Sequence, residues 1–284
     1  ADEAEELAAA TGIGTTYIPG GSGEGVVDYV EAIEGVDEGF DREATGVDRA
    51  FDDVAVQPYT SGTTGRPKGV ELTHENLLST IEALDKGGLS VDPEDTFLVV
   101  LPLFHIYGLN GMMGTCLYSG AEMVFHAEPD AAAMLEDFGE QEVTFFAGVP
   151  ALFTEMFREY RENEDDYDVS SLEYAFCGAA PLADSTRRAI MEAWDVPMTE
   201  GWGMTETAPA GTIEPGHGVA KAAGSVGPTL DCVELKLVDP ATGETRVTTD
   251  QLEPVPDEGI DFDDEDAVTG EIAIRGPNVF EGYY

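Results

Sequence analysis

Positive charge is scarce in this chain. Its 284 residues carry 13 Lys and Arg, only four of them Lys, against 58 Asp and Glu, for a formal net charge of −45. Proteins that grip duplex nucleic acid or an anionic membrane surface do so through basic patches, so this balance argues against both partners. Cysteine is sparse as well. Cys116, Cys177 and Cys232 are odd in number, far apart and in no CxxC pair, which leaves neither a disulfide framework nor a cysteine-based zinc site. His74, His105, His126 and His217 show no HxxxH spacing. No secretory signal opens the sequence. Residues 97–121 lack Asp, Glu, Lys and Arg altogether, which is long enough for a membrane span. That run is broken by Pro102, His105, Asn110 and four glycines, between acidic flanks. It therefore reads as a buried strand, loop and helix, and the expectation is a cytoplasmic protein that spans no membrane.

What is present points to a folded core. Hydrophobic residues make up 42%, with 10 Tyr and 13 Phe, too much apolar surface for the disorder that high charge alone would suggest. The acid is spread over most of the chain. With so little Lys, that is the composition of a protein adapted to a salt-saturated cytoplasm, where a Debye length of about 3 Å near 1 M screens the carboxylates from one another.

Strand and helix signals alternate from 51 to 200. Apolar strands are expected at 53–57, 96–101, 121–125, 142–146, 172–177 and 197–201. Helices are expected at 73–84, with Thr73 as N-cap, and at 110–119, 129–138, 150–162 and 183–194. Pro150 suits a first helical turn. This order predicts an α/β fold with a largely parallel sheet. Period-two runs at 232–238 and 271–275, with a turn at 239–243, predict a small antiparallel β unit. The acidic stretch 257–266 reads as a solvated loop, and residues 1–50 as acidic helical stretches with a turn-rich break at 19–23.

The strongest local signal is Tyr59-Thr60-Ser61-Gly62-Thr63-Thr64-Gly65-Arg66-Pro67-Lys68-Gly69. Hydroxyls, freed backbone amides and two cations lie together inside an acid-free run, 54–70, and that combination suits phosphate. It is not a Walker loop, because Lys68 does not directly follow Gly65. Gly201-Trp202-Gly203 lacks the third glycine of a dinucleotide fingerprint. On composition alone, an ordinary Ser/Thr/Gly loop remains an alternative.

Residues 60–70 resemble the phosphate loop of the adenylate-forming superfamily, which comprises acyl-CoA synthetases, firefly-type luciferases and peptide-synthetase adenylation domains. Further motifs follow in the family's order. Leu101-Pro102-Leu103-Phe104-His105-Ile106-Tyr107-Gly108-Leu109 is similar to the acyl-pocket motif, Gly148-Val149-Pro150 to the pocket-wall loop and Gly178-Ala179-Ala180-Pro181-Leu182 to the adenine loop. Glu200-Gly201-Trp202-Gly203-Met204-Thr205-Glu206 is similar to the Tyr-Gly-x-Thr-Glu motif, with Trp in the aromatic place. Gly224-Ser225-Val226-Gly227 and 270–277 continue the order. The resemblance covers residues 59–284.

The resemblance implies the large N-terminal domain of such an enzyme, incomplete at both ends. Residues 1–50 would be a partial N-terminal subdomain, 51–223 the nucleotide- and acyl-binding core and 224–284 a truncated β subdomain. It implies ATP-dependent activation of a carboxylic acid, a fatty acid by preference, to an acyl adenylate with release of pyrophosphate, and then a thioester with coenzyme A. Thr60, Ser61, Gly62, Thr63, Thr64, Gly65 and Lys68 would wrap the phosphates. Gly178, Ala179, Ala180 and Trp202 would hold adenine. Thr205 would donate to the α-phosphate or the carboxylate, Glu206 would hold Mg²⁺, and His105 would gate the channel where they meet. Tyr107, Gly108, Gly148 and Met204, with His105, would shape the acyl pocket. Phe104-His105-Ile106 offers no acid for a substrate amino group, which favours a plain acid over an amino acid. Outside the resemblance, Trp202 and His105 would read as core and Glu206 as surface.

The family's full chains are roughly twice as long. The ribose-gripping Gly-Asp, the hinge and the small domain with the catalytic lysine would lie beyond Tyr284, so this chain reads as an inactive fragment. A non-catalytic nucleotide- or acyl-binding module, or an aryl or coumarate-type ligase, are the alternatives.

Overall fold

The structure is a computed structural model that describes residues 16–18, 26–28, 48–60, 66–214, 224–248 and 269–284. Residues 1–49 and 50–284 form separate units. In the first, β1 (Thr16–Ile18) pairs in parallel with β2 (Val26–Asp28). The expected break at 19–23 and the acidic loop at 257–266 lie outside the described residues.

The second unit opens with β3 (Val54–Val56), β4 (Tyr59–Thr60) and β5 (Lys68–Thr73). β5 pairs antiparallel with both of the others, with Thr60 opposite Lys68. This differs from the sequence expectation, which ran the glycine-rich loop through Gly69 and placed no strand before the helix at Thr73. Val70 and Leu72 are fully buried, and that burial makes a strand of a segment whose glycine and lysine read as loop. α1 (His74–Leu84) starts where expected. Thr73 Oγ1 accepts from Asn76 N at 3.1 Å and Asn76 Oδ1 accepts from Thr73 N at 2.9 Å, a reciprocal capping box that satisfies two otherwise orphaned donors.

Residues 97–121 resolve into a strand and helix, as their polar interruptions required. β6 (Thr96–Val99) is buried throughout, and a wide π-type segment over Tyr107–Gly114 runs into α2 (Thr115–Ser119). β7 (Glu122–Phe125), α3 (Ala131–Glu140), β8 (Phe145–Gly148), α4 (Pro150–Glu162), β9 (Tyr174–Cys177), α5 (Asp184–Trp194), β10 (Met198–Trp202) and β11 (Thr212–Ile213) follow. Their sheet has the order β11-β10-β9-β8-β6-β7. It is parallel except for the β10–β11 pair.

β8 begins three residues later than expected. The reason lies in how α3 ends: Glu142 takes a left-handed φ of +51° and Val143 N donates back to Phe138 O at 3.0 Å. This is a helix-closing motif with a buried apolar residue after the cap. It consumes Glu142 and Val143, which the sequence expectation places at the start of the strand.

On β8 the side chains alternate. Phe146 packs edge-on against Phe138 of α3 (5.6 Å) and Phe153 of α4 (5.0 Å), and Trp194 of α5 joins them at 5.9 Å from Phe138. Phe145 points the other way, stacked between Phe97 (4.2 Å) and Tyr174 (5.0 Å). Burying each such ring contributes about 1.5–3 kcal/mol, so one strand joins the helical layer to the opposite face.

A small sheet of order β13-β12-β14 follows, built from β12 (Glu234–Val238), β13 (Thr245–Thr248) and β14 (Glu271–Arg275), antiparallel as expected. Asp239 closes its turn, accepting from Ala241 N at 2.7 Å and Arg246 Nη2 at 2.6 Å. The Arg246 bond, with those from the turn amides, holds the Asp239 carboxyl below the usual carboxylate range. Finally β15 (Gly282–Tyr283) returns to pair antiparallel with β5, Tyr283 opposite Val70. Among the described residues, no helix is long and apolar enough to cross a membrane.

Candidate active site

A cavity of about 650 Å³ opens at the carboxyl ends of β8, β9 and β10. This is where open parallel sheets offer a crevice, and the volume is that of a small-molecule site. The alternation along β8 places Phe145 and Ala147 in the wall, and Phe176 does the same from β9. Leu84, Leu89 and Ile213 complete an apolar inner surface. Tyr107 stands edge-on to Phe176 at 6.1 Å. Its ring fits against Gly111 and Gly178, where an added Cβ would come within 3.1 Å of it. The Tyr107 hydroxyl is buried without a protein partner, and burial pushes its phenol well above the usual value.

The rim is polar. Among the described wall residues, Lys68 is the one Lys or Arg and Glu206 the one carboxylate. Strand pairing explains how they meet: the β4–β5 ladder sets Thr60 beside Lys68, and the β15–β5 ladder brings Tyr283 alongside. Lys68 Nζ lies 4.6 Å from the centre of the Tyr283 ring, a cation–π contact. The Tyr283 hydroxyl donates to Glu206 Oε1 at 2.6 Å. That bond, with burial second, pushes the Tyr283 phenol up.

His105 is exposed at the cavity wall, not in the core. Its Nδ1 accepts from Tyr107 N at 3.1 Å, which assigns the neutral ring's proton to Nε2 and leaves that nitrogen as a donor. Thr205 opens a short 3₁₀ turn (Thr205–Thr207) directly after β10 and Met204. Ala179 leaves β9 with φ +68°, a left-handed conformation that strains a residue carrying a Cβ.

Of the residues expected from sequence, the cavity wall brings together Thr60, Lys68, His105, Tyr107, Gly178, Ala179, Trp202, Met204, Thr205 and Glu206. Three stand apart from it. Ala180 is exposed beyond Ala179. Gly108 packs beneath the carbonyls of Leu101 and Pro102, and Gly148 backs the wall, its carbonyl accepting from Gly178 N at 3.0 Å. Ser61, Gly62, Thr63, Thr64 and Gly65 lie outside the described residues. Sequence reasoning missed Tyr283, Phe145 and Phe176. The repeated tyrosine at 283–284 was visible but carried no role, and the two phenylalanines read as ordinary strand core.

No group of three or more His, Cys, Asp or Glu that could hold a metal ion by itself exists among the described residues. Glu206 fits the smaller demand of Mg²⁺, which is commonly bound by one or two carboxylates together with substrate phosphates. The arrangement as a whole suits an anion at the rim joined to an apolar tail.

Residues 16–284 match the family described as AMP-binding enzyme. Among curated relatives, 4-coumarate-CoA ligase 1 of Narcissus pseudonarcissus is 33% identical over 270 residues, covering 92% of this chain and 44% of the relative. Among solved structures, ATP-bound MatB from Rhodopseudomonas palustris is 31% identical with a TM-score of 0.74, over 94% of this chain and 46% of that one. A long-chain-fatty-acid-CoA ligase (FadD1) from Archaeoglobus fulgidus is 25% identical with a TM-score of 0.79, over 99% of this chain and 52% of that one. The chain thus spans about half the length of the proteins it matches.

Proposed function

The chain belongs to the AMP-binding enzyme family, and from that membership we propose that it is the nucleotide- and acyl-binding part of an acid–thiol ligase that forms acyl-CoA. A substrate carboxylate oxygen attacks the α-phosphorus of ATP, the bond to the bridging oxygen breaks, and pyrophosphate leaves. A coenzyme A thiolate then attacks the acyl carbon and AMP leaves. The observation that carries this reading is the single cavity in which Lys68, Thr205 and Glu206 share a rim above an apolar wall.

The difficulty of the reaction is that one anion attacks another, so the rim must neutralise charge before the atoms meet. Lys68, Thr60 and the loop 61–65 hold the phosphates, and Trp202 offers adenine a flat apolar face. Thr205 and the Nε2–H of His105 donate where carboxylate and α-phosphate meet. Glu206 would hold Mg²⁺, which would offset the phosphates' negative charge. Ala179, Gly178 and Ala180 border the base, and Gly108, Gly148, Tyr107 and Met204 shape the acyl side.

The acid has an apolar tail and no amino group, since Glu206 is the one carboxylate among the described wall residues and it sits at the rim. Fatty and aryl acids both meet that description. The name of the Narcissus relative supports an aryl acid of the coumarate type, and that of the Archaeoglobus structure a fatty acid. We place the domain boundaries after residues 50 and 223, the protein in a salt-rich cytoplasm, and the catalytic lysine in a further domain of the whole enzyme.

Calorimetric titration of ATP with Mg²⁺ in molar KCl tests the reading. Lys68→Ala is expected to weaken binding by roughly ten- to a hundredfold, the worth of one charged contact to phosphate. Unchanged affinity would contradict the assignment. Carboxylate-dependent pyrophosphate exchange by the whole gene product, read across aryl and fatty acids, identifies the substrate.

A further inference from the structure

The turn that carries Thr205 and Glu206 makes two backbone bonds of its own, Thr207 N to Met204 O at 2.9 Å and Ala208 N to Thr205 O at 3.2 Å. The Thr207 hydroxyl caps it locally, accepting from Met204 N at 3.0 Å, but it ends on Ala208, left-handed at φ +55°, a conformation that a residue with a Cβ disfavours. Its remaining carbonyls are met from elsewhere in the chain. Glu206 O accepts from Phe280 N at 2.9 Å. Thr207 O accepts from Asn278 Nδ2 at 3.1 Å and from Thr80 Oγ1 at 3.3 Å. Ala208 O accepts from Asn110 Nδ2 at 2.7 Å, and Ala210 O from Asn278 Nδ2 at 2.8 Å.

Asn278 is the joint of this arrangement. It is 0% exposed, and one amide nitrogen spans two carbonyls on either side of the bend. A carboxamide supplies two donors from one nitrogen, and a carboxylate of the same shape supplies none. The segment bearing Asn278 is itself fixed. Asn76 Nδ2 donates to Pro277 O at 2.7 Å and to Val279 O at 3.1 Å, while the Asn76 oxygen closes the α1 capping box. A rigid helix start thus holds 277–279, which in turn holds 207–210.

We infer that Asn278 is a positioning residue, setting the Thr205 hydroxyl and the Glu206 carboxylate against the cavity through the Thr207 and Ala210 carbonyls. The inference rests on the proposed role of Glu206 as the Mg²⁺-holding carboxylate. Asn278 itself does not line the cavity. Its loss therefore acts on the Mg²⁺-linked part of nucleotide binding and spares the part owed to Lys68.

The test is the ratio of ATP affinity with Mg²⁺ to that without it, titrated in molar KCl on wild type and Asn278→Ala, with far-UV dichroism to confirm folding. The expected result is metal-free ATP affinity within about twofold of wild type and a Mg²⁺-linked gain reduced by roughly tenfold, the worth of one to two buried hydrogen bonds. An unchanged gain in the folded variant overturns the inference, and so does an equal weakening with and without metal, which marks general structural loss. Should Asn278→Ala not fold, Thr80→Val keeps the side-chain shape and removes one donor to the Thr207 carbonyl. Its gain is expected to fall severalfold, and an unchanged gain there overturns the inference too. A wild type that binds ATP with no gain from Mg²⁺ instead refutes the role of Glu206, and the inference with it.

Discussion

Gly203→Ala is the substitution whose effect follows most directly from the structure. An ideal Cβ on Gly203 overlaps the Pro209 carbonyl oxygen and stands 2.7 Å from Ala210 Cα and 2.8 Å from Pro209 C. All three are backbone atoms, so no change of rotamer relieves the contact. The two segments must part, and they are joined by the Gly211 N to Trp202 O bond at 2.9 Å and by the β10–β11 ladder. Overpacking of this kind costs about 1–3 kcal/mol and a strained ladder bond about 1 more. The expected loss is therefore about 3 kcal/mol, roughly a hundredfold in the folding constant. Two other glycines calibrate it. Gly282 has open space around it, so Gly282→Ala should change stability by less than about 0.5 kcal/mol. Gly243 has open space but φ +74°, so Gly243→Ala should cost about 1 kcal/mol, for the left-handed backbone alone. Urea unfolding of the three variants in molar KCl measures the series, and ATP titration should show loss of affinity in Gly203→Ala only. A loss at Gly203 no greater than at Gly243 would refute the close approach of 203 to 209–210.

Ala179→Gly should stabilise the chain by about 1 kcal/mol by relieving the left-handed strain at φ +68°; urea midpoints that fall or stay level would count against it. Stability should decline from pH 9 to 12. Burial pushes the Cys116 thiol and the Tyr174 phenol up to about 12. The unfolded chain gives up those protons first, so each group's stabilisation is complete below its unfolded value and lost as pH rises through its folded one, at up to about 1.4 kcal/mol per pH unit. Cys116→Ala should flatten the lower part of that slope, which pH-dependent urea midpoints would reveal. With a net charge of −45, dialysis from molar to about 10 mM KCl should unfold the chain, because the Debye length grows to about 30 Å; far-UV dichroism retained in dilute salt would sink that expectation.

The order of strands and helices was legible in the sequence because each carries its own hydrophobic period. Thr73 marks the start of α1, and Pro150 that of α4. The motifs from Thr60 to Glu206 were legible through their resemblance, in order, to those of a known family; outside it Glu206 reads as one surface acid among 58. Local signals failed where a residue's use depends on something distant. Residues 142–143 read as strand until the end of α3 claimed them, and Lys68 and Gly69 read as loop until pairing with two neighbours made them the start of a strand. Likewise Phe145 and Phe146 are adjacent and alike, and only the layers above and below the sheet decide that one faces the cavity and the other the helices.

The chain by itself therefore determined the alternating α/β order, the acid-free loop and the chemistry its motifs can offer, because hydrophobic period, capping and composition are local properties. Only the tertiary structure decided that Lys68, Glu206 and Tyr283 share one rim and that Asn278 grips the Glu206 turn. Those residues are joined by pairing of β15 with β5 and by side-chain bonds between residues far apart in sequence. Such contacts have no period, and they form only once the rest of the core has brought their partners within reach.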